Sequence, residues 1–285
     1  MDRHAQSDDL ASELIERVLS RLGLSAVPEP SFEGLKALYG AWCRQVPFDN
    51  VRKLIHLRRQ DGAPLPGDTA PDFFEAWLRY GTGGTCWAGN GALQSLLHCL
   101  GFDAQRGLAT MLVAPGVPPN HGTVVVRCEE DRRYIVDASI LHGEPLRLDE
   151  SAASVIEHPA WGVSCAMREG RWIIRWRPLH VPDGIDCRIE RLQVTAQSFH
   201  QAHERTRAWS PFNYALYARS SRGDTVFGTA FGQRVEVAGD GSVRRSALPP
   251  QRRAQLLIEE FGMHEALVER LPADLPLPPP PSRPP

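Results

Sequence analysis

The chain has 285 residues, 42% of them hydrophobic and 23% charged, with a formal net charge of −2. That composition belongs to a folded globular protein, and the near-neutral balance argues against a broad basic surface for nucleic acid or for an anionic membrane. The length exceeds what one simple core needs and predicts several packed subdomains.

No apolar stretch approaches the ~20 residues of a membrane span. Residues 1–9 carry no apolar run of the kind a signal peptide needs, so a cytoplasmic protein without a membrane partner is expected. None of the six cysteines forms a C-x-x-C pair, and no bound metal is expected. In a reducing compartment most of these thiols should serve as small buried hydrophobes.

Taken in chain order, Leu10, Leu14, Val18 and Leu22 follow helical spacing, with Ser7, Asp8 and Asp9 ahead of them and Gly23 behind, which predicts a capped first helix. Ser31 opens a second helix with Leu35, Leu38 and Trp42 on one face; it stops before Val46-Pro47, because the residue ahead of a proline disfavours helix. A Gly/Pro-rich loop follows over 61–71. Phe73, Phe74, Trp77 and Leu78 then form a helix that Gly81 ends. Residues 87–100 read as an amphipathic helix burying Trp87, Leu93, Leu96, Leu97 and Leu100, closed by Gly101.

Beyond Gly101 the pattern changes. Residues 108–113, 123–128, 134–136 and 171–176 read as strands rich in β-branched side chains, giving an antiparallel sheet, closed or nearly so, up to about Pro182. A helix over 198–207, strands over 212–219, 226–229 and 234–237, and a helix over 251–261 follow. The proline-rich tail at 272–285 is expected to be exposed and polyproline-like or disordered. The expected divisions are therefore 1–100, helical; 101–190, sheet; 191–271, mixed; and the tail.

Cys86 is the first candidate for chemistry. It ends Gly81-Thr82-Gly83-Gly84-Thr85 and stands at a helix start, where the macrodipole and unpaired N–H groups favour a thiolate nucleophile. A nucleophilic cysteine needs a base and a group that orients the base. His121 stands at the start of a strand, and Asp137 at the end of the next. A hairpin turn centred on Glu130 sets Asp137 opposite Thr123 and diagonal to His121 on the same face, at ~7–8 Å between Cα atoms. A turn one residue longer or shorter would send Asp137 to the other face. The order Cys, His, Asp also occurs in papain-like proteases and transglutaminases, so these residues define a catalytic class and leave the reaction open.

Four features resemble the arylamine N-acetyltransferase family. Val46-Pro47-Phe48-Asp49-Asn50 is similar to its V-P-F-E-N motif. Thr82-Gly83-Gly84-Thr85-Cys86 is similar to its R-G-G-x-C motif, and Asn90 matches downstream. His121 and Asp137 fall at the family's His and Asp. Ser210-Pro211-Phe212 resembles the opening of the family's C-terminal lid, and Glu259-Glu260-Phe261-Gly262 its closing helix. The likeness runs from about residue 10 to 271.

The resemblance implies an α+β fold with an N-terminal helical bundle, a central antiparallel β-barrel and a C-terminal α/β lid, around a cysteine-protease/transglutaminase-like core. It implies ping-pong acyl transfer: Cys86 takes an acyl group from a coenzyme A thioester, His121 moves the proton, Asp137 orients His121, and an amine, arylamine or hydroxylamine receives the acyl group. Acyl-CoA would be a substrate, with no cofactor permanently bound; an acyl carrier protein is an alternative source of the thioester. Phe48, Thr85, Trp87, Ser139 and Phe212 are expected in the substrate pocket. The sequence does not choose coenzyme A contacts among its arginines.

The departures from the family pattern cluster. Thr82 replaces the arginine before Gly-Gly, Ala88 a glutamate, Asp49 the glutamate of V-P-F-E-N, and Ala138-Ser139-Ile140-Leu141-His142-Gly143 a stretch rich in glycine and phenylalanine. Thr82 and Ala88 are expected to remove charge beside the thiol. These changes point to a specialised amide-forming member with a donor other than acetyl-CoA. A thiol hydrolase or transglutaminase-like enzyme with the same triad, and a non-catalytic relative with an inert Cys86, remain alternatives at this stage.

Overall fold

The computed structural model describes residues 10–59, 62–114 and 116–278. Ser7, Asp8 and Asp9, read as capping the first helix, lie outside the described residues, as do residue 61 of the loop and 279–285 of the tail.

The first hundred residues carry five helices: α1 (Ser12–Leu22), α2 (Phe32–Gln45), α3 (Val51–Leu57), α4 (Ala70–Tyr80) and α5 (Cys86–Cys99), with a short strand β1 (Phe48–Asp49) between α2 and α3. Their ends follow from the sequence. Ser31 accepts a hydrogen bond from the Gly34 N–H, Thr69 accepts one from Asp72, and Gly23 and Gly81 close α1 and α4 at φ 80° and 70°. The helix α3 went unread in the sequence because it has only seven residues.

The helix α5 corrects one expectation. It is not amphipathic: it runs through the molecule's centre, buried on nearly every side, with only His98 exposed. Helix α4, two strands of the large sheet and a later helix all pack against it. A helix wrapped this way buries its polar residues as well, and they make hydrogen bonds with the surrounding elements.

Eight strands form the large sheet: β2 (Asp103–Met111), β3 (His121–Arg127), β4 (Arg133–Val136), β5 (Leu146–Leu148), β6 (Ser154–Ile156), β7 (Val163–Arg168), β8 (Arg171–Trp176) and β9 (Ile185–Arg191). Their order is β5-β4-β3-β2-β9-β8-β7-β6, all antiparallel, and β5 lies against β6 and β7, so the sheet nearly closes into a barrel. The sheet does not stop at Pro182, because β9 lies at its centre between β2 and β8. The alternation of Ile185, Cys187 and Ile189 with charged residues is the period-two signal for that strand.

Val125, Ile135, Ile174, Cys187 and Ile189 fill the barrel, while Val124, Val126 and Val136 join the core of α1, α2, α4 and α5. Both faces of β3 are thus buried. That explains its unbroken valine run.

After β9 come α6 (Ala196–Arg205), β10 (Tyr217–Arg222), β11 (Thr225–Ala230), β12 (Gln233–Val237), β13 (Val243–Ala247), α7 (Pro250–Glu259) and α8 (Glu265–Val268). The strand expected over 212–219 begins only at Tyr217. Pro211–Asn213 is instead a single 3₁₀ turn, held by Ser210 Oγ accepting from the Phe212 N–H and by Asn213 donating to the Thr206 and Arg207 carbonyls. No helix among the described residues is long and apolar enough to cross a membrane.

The second sheet, β1-β10-β11-β12-β13, recruits its edge from far upstream: Phe48 pairs with Arg219 and Asp49 with Ala218. Phe48 also bridges Gly84 in parallel, and the Asp49 N–H donates to the Gly84 carbonyl at 3.2 Å. The 46–50 segment is therefore clamped between the C-terminal sheet and the loop that carries Cys86. This close approach requires glycine: a Cβ on Gly83 would stand 1.8 Å from the Pro47 carbonyl oxygen, and one on Gly84 2.8 Å from the Ala88 Cβ. Gly83→Ala should cost about 2 kcal/mol or more through overpacking against backbone that cannot move aside. Urea denaturation of the variant beside wild type measures it; equal midpoints would show that the clamp is loose.

Candidate active site

Cys86 is the first residue of α5 and is buried. Thr85, at the N-cap, makes no side-chain cap, and the first intrahelical bond runs from Gly89 N–H to the Thr85 carbonyl at 2.9 Å. The N–H groups of Cys86, Trp87 and Ala88 precede that bond and so have no partner within the helix.

The β3–β4 register, Val124 to Val136 and Arg127 to Arg133, centres the hairpin on residue 130, where Glu130 and Asp131 adopt φ 58° and 56°. Continued by one pair, it sets Asp137 opposite Thr123, on the face that carries Val125 and Ile135. His121 Nε2 lies 2.8 Å from Asp137 Oδ2 and donates to it; both residues are buried. The Cys86 thiol also acts on the His121 ring and helps it hold its proton, so the two side chains lie close together. With Nε2 on Asp137, the ring's other nitrogen is the one left for the thiol. The structure thus brings Cys86, His121 and Asp137 into one chain of contacts.

Burial alone would lower the His121 pKa, but the Asp137 charge and hydrogen bond, helped by the Cys86 contact, drive it above the ordinary histidine value. Burial alone would raise the Asp137 pKa; the His121 charge and hydrogen bonds from His121 and the Ser139 N–H overcome it and hold the carboxyl well below the usual carboxylate range. Both shifts favour the imidazolium and the carboxylate together.

A shell of hydrogen bonds fixes the pair. Asp137 Oδ1 accepts from the Ser139 N–H (2.9 Å), the Ile140 N–H (3.2 Å) and Asn90 Nδ2 (3.2 Å). Asn90, one turn below Cys86, also donates to the Gly122 carbonyl at 2.7 Å and accepts from the Ala138 N–H at 2.9 Å, which ties α5 to both strands. Tyr39 Oη donates to the Asp137 carbonyl at 2.8 Å and accepts from its N–H at 3.1 Å. Arg219, fully buried on β10, donates to the Ile140 carbonyl and so holds the turn that follows Asp137.

The residues expected to line the pocket divide. Phe48 and Phe212 meet edge to face at 5.3 Å, with Tyr217 against both, at 5.5 and 5.3 Å. Trp87 packs edge-on to Phe199 of α6 at 5.0 Å. Ser139 belongs to the Asp137 turn, and Thr85 is the buried N-cap of α5. A surface cavity of about 410 Å³, lined by Arg52, His56, Arg59, Asp72 and Arg270 among others, includes none of Cys86, His121 and Asp137.

Two departures from the family motifs prove to be one contact. Asp49 is buried and accepts from Thr82 Oγ1 at 2.9 Å, the Gly83 N–H at 2.6 Å and the Val51 N–H at 3.0 Å. Thr82 therefore faces a carboxylate in the clamp.

Tyr39, Arg219 and Lys53 escaped the sequence reading. Lys53, on α3, is 5% exposed, and its Nζ donates to Thr206 Oγ1 at 2.8 Å. A lysine or arginine in sequence reads as surface, and nothing in its neighbours signals burial. Asn90 was legible only through its motif.

A family model described as N-acetyltransferase matches residues 31–174. The arylamine N-acetyltransferase of Mycolicibacterium smegmatis is 29% identical over 149 residues, covering 49% of this chain, and the match spans about half (52%) of that relative's length. The arylamine N-acetyltransferase structure from Nocardia farcinica superposes with a TM-score of 0.75 at 18% identity, over 90% of this chain and 92% of the other. That of the Mycobacterium marinum enzyme in complex with CoA superposes at 0.74 and 18% identity, over 90% and 97%. The two structural matches establish the fold. With half of the chain under the family model, the protein belongs to the arylamine N-acetyltransferase family.

Proposed function

We propose that the protein is an N-acyltransferase that carries an acyl group from a coenzyme A thioester, through a thioester on Cys86, to an amine. The observation that carries this reading is the contact chain from Cys86 to His121 to Asp137 within a chain of this family. The CoA complex of the Mycobacterium marinum relative supports coenzyme A as the donor's carrier.

In the first half-reaction the Cys86 sulfur attacks the thioester carbonyl, the C–S bond to coenzyme A breaks, and the departing thiolate takes a proton from His121. In the second, the amine nitrogen attacks the acyl-cysteine, gives a proton to His121, and the C–S bond to Cys86 breaks. Exchange of one thioester for another is nearly balanced, so the acyl group can wait for an acceptor. Asp137 keeps the imidazolium charged and turned toward the sulfur. The free N–H groups at the start of α5 are suited to the oxyanion of each tetrahedral intermediate.

The departures support a donor larger than acetyl and a role in joining that acyl group to an amine as an amide. They fall on the clamp, at Asp49 and Thr82, and on the turn at 138–143, while Cys86, His121, Asp137 and Asn90 keep the family pattern.

Mass spectrometry of the intact protein tests the reading. Incubation with an acyl-CoA should add one acyl mass to Cys86, and an amine should discharge it as the amide. Cys86→Ala should carry no adduct and lose transfer by roughly 10⁴-fold or more. An adduct that water removes as fast as an amine does would make the protein a hydrolase. Acetyl transfer to anilines and hydrazines at the rates of ordinary family members, with no gain from longer acyl-CoAs, would remove the specialised-donor reading.

The Asp137–His121 pair also sets a stability profile. Asp137 titrates lower in the folded state than in the unfolded, so its contribution is full above about pH 4 and is lost as pH falls through the folded value. His121 titrates higher when folded, so its contribution is full below about pH 6.5 and is lost as pH rises through the folded value. Asp137→Asn should therefore destabilise most between about pH 4 and 6.5, by roughly 3 kcal/mol, and less as pH rises toward 9. Urea denaturation at pH 5.5 and 9 checks it; a loss that grows with pH would contradict the assignment.

A further inference from the structure

The 46–50 clamp, bonded to Gly84 two residues before Cys86, brings the start of α3 and Lys53 into the neighbourhood of the nucleophile, and Lys53 takes no part in the steps above. A negative charge on Cys86 strengthens its hold on its proton, so the two groups lie within electrostatic reach. Its ammonium offers three donors, and Thr206 Oγ1 takes one. Among the described residues no carboxylate is hydrogen-bonded to it. Glu204, which acts on it through space, is engaged elsewhere: Oε1 accepts from the Leu65 N–H at 2.7 Å, and Oε2 from Arg207 Nε and Nη2 at 3.0 and 2.8 Å.

The two buried arginines among the described residues each have at least two acceptors. Arg253 pairs with Asp274 at 2.9 Å and donates to the Pro272 carbonyl; Arg219 donates to the carbonyls that follow Asp137. Lys53 has a hydroxyl. A buried ammonium is costly unless an anion and further acceptors meet it. Burial accordingly brings its pKa down to about 7.

The start of α3 is also firmly held. Asn50, at the start of α3, donates to the Phe212 and Ala215 carbonyls and accepts from the Tyr217 N–H. Thr206 caps α6, whose Phe199 packs on Trp87 next to Cys86. Lys53 therefore stands at the junction of α3 and α6, with donors to spare.

We propose that Lys53 anchors a carboxylate carried by the molecule that reacts at Cys86, on either the acyl group or the amine acceptor. The inference rests on the acyl-transfer reading and names the substrate class it leaves open. A charge-assisted hydrogen bond to a buried ammonium would give such substrates a clear advantage over neutral ones of the same shape.

Two matched pairs test this on the purified full chain. Succinyl-CoA against butyryl-CoA compares donors, read as the rate of adduct formation on Cys86. 4-Aminobenzoate against 4-aminobenzamide compares acceptors, read as kcat/KM. Wild type should favour the anionic member of at least one pair by about tenfold or more, and the pair that responds locates the carboxylate. Lys53→Met should bring that ratio close to one, and Lys53→Arg should retain most of it; Lys53→Gln replaces the methionine variant if that fails to fold. Equal rates within both pairs for wild type overturn the proposal. So does a preference that survives in Lys53→Met, or a loss that hits both members alike, since a role in folding or at the thiol would lower both. If no donor acylates Cys86, the acyl-transfer reading fails instead. Calorimetric binding of 4-aminobenzoate and 4-aminobenzamide to wild type and Lys53→Met then decides the anchor: binding of the anion alone that Lys53→Met abolishes supports it, and equal binding of the two overturns it.

Discussion

Asp137 has no exposed surface, and a carboxylate so placed must draw its hydrogen bonds and its compensating charge from the protein itself. Each donor comes from a different part of the fold. His121 arrives on β3, Asn90 on α5, and the N–H groups of Ser139 and Ile140 from the turn that Asp137 starts. Tyr39 on α2 clasps its main chain from behind, and Arg219 on β10 pins the turn. Helices, barrel and C-terminal sheet must all be docked before this one carboxylate is satisfied. Any loosening of that docking leaves a buried charge short of partners, which is far costlier than a lost surface contact. The fold and the nucleophile's environment are held by the same set of bonds.

That dependence explains what was legible in the sequence. Relations carried by local geometry were readable: the glycine stops of α1 and α4, the Ser31 cap, and above all the two-residue period that put Asp137 on the His121 face once the hairpin was centred on residue 130. Relations carried by tertiary docking were not. Arg219 and Lys53 are as charged as any surface residue, and only the packing of β10 and of α3 removes them from water. The apolar stripe on α5 was taken as one side of an amphipathic helix, although Gln94, Ser95 and Asn90 on its other sides are buried too, each with a hydrogen-bond partner supplied from elsewhere. Polar residues on a helix look solvated until the partners that come from distant sequence are known.

The contact between Asp49 and Thr82 shows the same limit from another side. As separate positions, each is a departure from a motif, and the loss of an arginine reads as a loss of charge near the thiol. In space they touch. The carboxylate is met by a hydroxyl and two backbone N–H groups, and burial pushes its pKa upward, with those hydrogen bonds opposing the shift. What a buried group requires is satisfaction and not a particular residue type, and the Thr82 hydroxyl meets that requirement here.

The surroundings of Cys86 are therefore unequal. On the side of α2, β4 and β10, Asp137, Asn90 and Tyr39 each bind two or more partners, and a change at one of them disturbs several others. On the side of α3 and α6, contacts are edge-on aromatic packing, such as Trp87 against Phe199, and single hydrogen bonds, such as Lys53 to Thr206. Packing of that kind accepts changes of shape and charge at modest cost, whereas a saturated hydrogen-bond network does not. A chain that keeps its triad geometry therefore has its widest physical room for further change on the second side.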